Sequence, residues 1–240
     1  MRTESVTAIV LAGGQGKRMK SETQKQYLMV GGRPLISYAL DVFQLTNIID
    51  EIILVVGEGQ EQSCKKEIVE KYGYTKVTKI VIGGKERYHS VYNGICAAKR
   101  EGVVFIHDGA RPFINEQLLS KLYNEVKEHR ACISAVRSKD TIKIADDNEM
   151  VKETPDREYL WSIQTPQVFE TELIVSAYEK LFQNLPKNIT DDAMVVENTM
   201  NIKVKLVEGE YQNIKITTPE DLEIAEVFAK KIRKKKENEK

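Results

Sequence analysis

Five short apolar runs alternate with stretches of helical periodicity, and this rhythm leaves the chain few folds to choose from. The runs fall at residues 7–11, 51–56, 77–82, 103–106 and 131–136. Each has strand length, and the first two are apolar nearly throughout, as suits strands buried on both faces of a parallel sheet. Helices are expected between them at about 34–44, 61–72, 87–99 and 116–129. In the first, Leu35, Tyr38, Ala39, Val42 and Phe43 fall on one face. The fold class predicted is α/β, a Rossmann-like, mostly parallel sheet with helices on both faces. Right-handed crossovers then bring the carboxyl ends of the strands to one edge, where such sheets bind ligands.

Three strand ends carry chemistry. The first opens into Gly13-Gly14-Gln15-Gly16, followed by Lys17, Arg18, Lys20 and Lys25. Glycines let a ligand approach the main chain, and exposed N–H groups with fixed cations stabilise a polyanion. The loop matches neither a P-loop nor the dinucleotide fingerprint, whose third glycine position is Met19 here. On this stretch alone, a tight turn with solvated basic residues fits equally well. The third strand ends at Gly83-Gly84-Lys85-Glu86-Arg87 and the fourth at His107-Asp108-Gly109-Ala110-Arg111-Pro112. Asp108 is placed to help hold Mg²⁺ beside a triphosphate, or to cap a turn. His107 is a base or a satisfied structural residue.

The rhythm changes after residue 136. Residues 137–160 are polar, with β-prone pieces at 141–144 and 149–152 around Asp146-Asp147-Asn148. A lone hairpin is marginal, so it is expected to serve as a homodimer arm or to fold back as a local flap. Residues 161–169 read as a fixed, partly buried loop, and 171–183 as a helix. Thr190 is the expected N-cap of a short helix that starts with Asp191 and Asp192. Strands are expected at 203–207 and 213–216. A last helix should start at Thr218-Pro219-Glu220-Asp221 and run to about Ile232, with a basic end. The whole chain, 1–240, is expected to form a single domain.

Composition removes several classes of function. The chain carries 36 basic and 36 acidic residues, which argues against a general nucleic-acid binder. No apolar run approaches the roughly 20 residues that cross a bilayer. Met1-Arg2-Thr3-Glu4-Ser5 leads straight into the first strand, so no secretory signal is expected and the location expected is cytoplasmic. Cys64, Cys96 and Cys132 are widely spaced and read as reduced packing residues, not as a zinc or disulfide set.

Taken in order, the motifs carry a resemblance. They are Leu11-Ala12-Gly13-Gly14-Gln15-Gly16-Lys17-Arg18-Met19, Lys25-Gln26-Tyr27, Gly83-Gly84-Lys85-Glu86-Arg87-Tyr88-His89-Ser90-Val91, His107 to Pro112, Asp156-Arg157 ahead of Leu160-Trp161, Gln164-Thr165-Pro166-Gln167, Thr190-Asp191-Asp192-Ala193 and Asn213-Ile214-Lys215. Together they resemble the nucleotidyltransferases that join a polyol phosphate to a nucleotide, and more closely the 2-C-methyl-D-erythritol 4-phosphate cytidylyltransferase family of non-mevalonate isoprenoid biosynthesis. Lys85 stands where an acid often follows the Gly-Gly pair, and Gln212 where many members carry Asp.

The resemblance implies that CTP and a small polyol phosphate react to give a CDP-polyol and pyrophosphate, with Mg²⁺ bridging the triphosphate. It implies that Arg18 and Lys25 stabilise the transition state and that Arg157 and Lys215 position the acceptor phosphate. Thr141, Thr165, Thr190, Asp108 and Arg111 would contact the acceptor. Ala12, Gly13, Gly14, Gly16, Gly84 and Ser90 would hold the nucleotide. Arg157 and Thr141 would come from the arm of a second subunit. A ribitol-5-phosphate cytidylyltransferase and a non-catalytic nucleotide-binding module on the same fold are the alternatives.

Overall fold

The structure, a computed structural model, describes residues 4–14, 24–183 and 188–238. The first apolar run forms β1 (Val6–Ala12) at the heart of the sheet. Val6, Ala8, Val10 and Ala12 join the apolar cluster on one face, and Ile9 joins the cluster on the other. Side chains alternate along a strand, so a strand covered on both sides must be apolar at every position.

A single helical turn at Lys25–Tyr27 follows, then a ribbon of β2 (Met29–Val30) and β3 (Arg33–Pro34). Helix α1 (Ile36–Leu45) starts two residues later than expected because Pro34 belongs to β3. Next come β4 (Glu51–Val56), α2 (Glu61–Cys64) with a π-helical continuation at Lys65–Glu70, and β5 (Val77–Ile82). Then follow α3 (Arg87–Ala97), β6 (Val103–Asp108), α4 (Glu116–His129) and β7 (Ala131–Arg137). A small hairpin pairs β8 (Ile144–Ala145) with β9 (Val151–Glu153). The chain continues through β10 (Trp161–Glu170), α5 (Thr171–Gln183), α6 (Asp192–Met200), β11 (Lys205–Glu208) and α7 (Pro219–Asn238).

The main sheet has the order β11-β7-β10-β6-β1-β4-β5. Its pairs are parallel except for β10, which runs antiparallel between β6 and β7. Helices cover both faces, and a third apolar cluster forms under α7 around Val30, Leu35, Phe113 and Ile216. Among the described residues no helix is long and apolar enough to cross a membrane. All three cysteines are free.

Three expectations are corrected. Residues 161–169 are a strand, not a loop; its Gln164, Thr165 and Gln167 are buried because they pair with neighbours instead of water. Residues 213–216 form no strand. They are held by single bonds, with the Ile216 amide donating to the Ala110 carbonyl at 2.9 Å and Asn213 Nδ2 to the Thr165 carbonyl at 2.8 Å. The N-cap of α6 is Asp191, whose Oδ1 accepts from the Met194 amide at 2.9 Å, and not Thr190.

The hairpin region stands apart. Residues 139–159 are exposed at every position except Pro155. Its root rests on Tyr211, over which the Lys139 ammonium sits 3.6 Å from the ring centroid.

Candidate active site

The carboxyl ends of β1, β5 and β6 open onto one cavity of about 600 Å³. Gly13 and Gly14 line it from β1, and Gly84, Lys85 and Glu86 from the loop after β5. Gly13 passes close to the end of β4, where a Cβ would lie 3.2 Å from the Val56 carbonyl carbon. At Gly84 a Cβ would collide with the side chain of His89, so only glycine lets this loop close over α3. The Gly84 amide donates to Ser90 Oγ at 3.0 Å, and Ser90 also faces the cavity. Lys25 lines it from the turn after the glycine loop. That turn is tied down by buried Gln26, whose Nε2 donates to the Ala12 carbonyl.

A second cavity of about 230 Å³ lies alongside, lined by Arg111, Thr165, Thr190 and Asp191 among others. Arg87, Asp108 and Lys215 line both cavities and form their common wall. Lys215 Nζ lies 2.6 Å from Asp108 Oδ2. Arg87 donates from Nε to Asp108 Oδ1 at 3.1 Å, and from Nη1 and Nη2 to the two oxygens of Asp192 at 2.9 and 2.8 Å. Burial alone would raise the Asp108 carboxyl, but Arg87, Lys215 and Arg111 outweigh it and hold the group well below the usual carboxylate range. Burial likewise opposes the Arg87 charge, and Asp192 and Asp108 reverse the sign, so Arg87 stays a cation at any ordinary pH.

His107 is fully buried between Thr165 and the Arg111 carbonyl. Its Nε2 lies 2.9 Å from that carbonyl, which only accepts, so Nε2 carries the proton and Nδ1 accepts from Thr165 Oγ1 at 3.0 Å. Burial lowers its pKa to about 4. It is therefore a neutral structural imidazole, and Thr165 Oγ1 in turn accepts from the Asp108 amide at 3.0 Å. Arg111 is anchored on the carbonyls of Asn213 at 2.7 Å and Ile163 at 3.2 Å.

The expected site residues thus fall into three groups. Lys25, Lys215, Asp108, Arg111, Thr165, Thr190, Gly13, Gly14, Gly84 and Ser90 line the two cavities, with Ala12 immediately beneath. Arg18 and Gly16 lie outside the described residues. Thr141 and Arg157 sit on the exposed hairpin region and line neither cavity; Arg157 Nη1 donates to the Lys139 carbonyl at 3.1 Å. Sequence reasoning missed Arg87 and Asp192 as site-building residues. The signal for Arg87 was its place at the first turn of a helix after the Gly-Gly loop.

Among the described residues no group of three or more His, Cys, Asp or Glu side chains is gathered to hold a metal, and both Asp108 oxygens face cations. The described residues do not cage an ion by themselves. The site suits an ion that arrives on phosphate oxygens, since Mg²⁺ keeps its waters and needs one or two carboxylates.

The model of the IspD family, 2-C-methyl-D-erythritol 4-phosphate cytidylyltransferase, matches residues 6–231. The chain belongs to this family. A curated IspD relative from Lachnospira eligens is 50% identical over 225 residues, covering 93% of this chain and 99% of the relative. One from Alkaliphilus oremlandii is 47% identical over 225 residues, covering 93% of this chain and 94% of that one. The crystal structure of 4-diphosphocytidyl-2C-methyl-D-erythritol synthase from Anaerococcus prevotii is 40% identical, with a TM-score of 0.83 over 95% of this chain and 96% of that chain. The IspD family match, residues 6–231, takes in the sheet, both cavities and the hairpin region together.

Proposed function

We propose that the protein transfers the CMP moiety of CTP to 2-C-methyl-D-erythritol 4-phosphate, giving 4-diphosphocytidyl-2-C-methyl-D-erythritol and pyrophosphate. The observation that carries this reading, beside family membership, is the pair of cavities sharing the Asp108–Lys215–Arg87 wall. The larger is of a size to enclose a nucleotide. Its glycine-lined loops offer main-chain groups to base and phosphates, while the smaller cavity takes the acceptor.

An oxygen of the acceptor phosphate attacks the α-phosphorus in line. The new O–P bond forms as the bond to the β-phosphate oxygen breaks, and pyrophosphate leaves with the electron pair. A phosphate monoester is already an anionic nucleophile, so no general base is needed, in keeping with His107 being neutral and enclosed. The demand is electrostatic, because two anions must meet and charge builds on the α-phosphate and the leaving group. Lys25 and Arg18 meet that charge, and Lys215 holds the acceptor phosphate, exchanging Asp108 for it. Mg²⁺ bound to the triphosphate would supply charge neutralisation there, and Asp108 would help hold it.

Arg157 and Thr141 complete the acceptor cavity from the arm of a second subunit. Exposed Ile142, Ile144, Met150 and Val151 on that arm supply an apolar surface for the homodimer. The protein works in the cytoplasm on these small molecules.

A pyrophosphate-release assay crossing CTP, UTP and ATP with 2-C-methyl-D-erythritol 4-phosphate and ribitol 5-phosphate tests the reading. Turnover is expected with CTP and the methylerythritol acceptor. Turnover confined to ribitol 5-phosphate, or none with either acceptor, contradicts it.

A further inference from the structure

At the common wall of the two cavities, all three side-chain nitrogens of Arg87 already meet carboxylate oxygens. Two carboxylates surround one guanidinium, so it is poorly suited to taking a phosphate and well suited to holding parts in place. One of those carboxylates, Asp192, is fully buried, and its Oδ1 also accepts the Tyr178 hydroxyl at 2.6 Å. The amides of Asp192 and Ala193 both donate to Gln167 Oε1 at 3.0 Å. The start of α6 is thereby fixed, and with it Thr190 and Asp191, which line the smaller cavity. On its other side, Arg87 directly follows Gly84, Lys85 and Glu86, which line the larger one.

We propose that Arg87 is a positioning residue that couples the nucleotide cavity to the acceptor cavity, so that each substrate tightens the binding of the other. The inference rests on the cytidylyltransferase reading and adds a specific means of communication to it. Nucleotide contacts that settle the 84–86 loop settle the first turn of α3. The planar guanidinium fork then carries that position to Asp108, and so to Lys215, and to Asp192, and so to Thr190. An ammonium cannot reproduce three bonds in one plane, so Lys is not an equivalent here. Coupling of this kind is reciprocal and must appear in both binding orders.

The test measures binding of 2-C-methyl-D-erythritol 4-phosphate to the full chain by calorimetry, with and without saturating α,β-methylene-CTP and Mg²⁺. In the native protein the nucleotide analogue is expected to tighten the acceptor by about tenfold, within the usual range of coupling. In Arg87→Lys the analogue alone should bind within about threefold of native, while the enhancement of the acceptor falls below about twofold. Asp192→Asn, which keeps the shape of the side chain, should lose the enhancement in the same way and serves if Arg87→Lys fails to fold. Tyr178→Phe leaves the Arg87 fork intact and should keep it. A folded Arg87→Lys or Asp192→Asn with the native enhancement overturns the proposal. So does a loss of analogue affinity in proportion to the loss of enhancement, which would make Arg87 a direct ligand. A native protein that binds both molecules independently overturns the coupling alone. One that binds no analogue overturns the cytidylyltransferase reading and the coupling with it.

Discussion

The shared wall of the two cavities and the hairpin region both present cations, yet they are built in opposite ways. At the wall, Arg87 and Lys215 are set by carboxylates that are buried, and Lys215 is flanked by Asn213 and Ile216, each anchored by its own hydrogen bond. On the arm, Arg157 belongs to a stretch exposed at every position but one, and among the described residues its guanidinium donates to a carbonyl of the same arm. A cation held against buried partners is pre-organised and contributes before the substrate arrives. A cation on an exposed ribbon gains a fixed position when a second surface packs against it. The comparison teaches that the wall is set before any ligand arrives, while the arm needs a second surface to set it; in the dimer proposed above that surface belongs to the partner's site.

The largest expected effect belongs to the side of the site that is set in advance. Lys25→Ala should lower kcat by about 10²–10³, the cost of removing one pre-organised charge contact in a phosphoryl-type transfer. Its unfolding midpoint should match the native one, since Lys25 sits on a surface turn held by Gln26. Steady-state kinetics beside thermal unfolding check this, and unchanged turnover in a folded Lys25→Ala protein removes Lys25 from the mechanism.

A smaller effect follows from His107 beneath the same wall. Its pKa is about 4 in the folded chain against an ordinary 6.5, chiefly through burial. The unfolded chain therefore binds a proton below about pH 6.5 that the folded chain refuses until about pH 4. Stability should be complete above pH 6.5 and fall by up to about 3 kcal/mol as pH drops to 4, with no such slope on the alkaline side. Urea midpoints across this range check it. His107→Gln should flatten the slope, and arm substitutions such as Arg157→Ala should leave it unchanged. A flat native profile would mean that the imidazole is not the closed, neutral group described.

What the sequence reveals about the fold divides along similar lines. β1, β4 and β6 declare themselves because strands covered on both faces are apolar nearly throughout. β10 is hidden because Gln164, Thr165 and Gln167 look like loop residues. Their burial is satisfied by partners distant in the chain: Gln164 Nε2 donates to the Glu210 carbonyl at 2.8 Å, and Gln167 Oε1 caps α6. Residues 213–216 mislead in the opposite sense, alternating polar and apolar like a strand while bonding through isolated contacts instead of a ladder. In the site, the glycine turns, Lys25 and Asp108 are readable from their places at or just after strand ends, and Lys215 from the family resemblance. The pairing of Arg87 with Asp192 is not, because 105 positions separate them and only the folded sheet brings them together.

The most direct test of a site shared between two chains is activity on mixing two crippled variants, Arg157→Ala on the arm and Lys215→Ala on the wall. Each alone should retain about 1% of native turnover or less. If the arm acts on its partner, half of randomly paired dimers contain one site free of both substitutions, and the mixture should recover about a quarter of native turnover. A mixture no more active than the sum of its separate components would contradict the account.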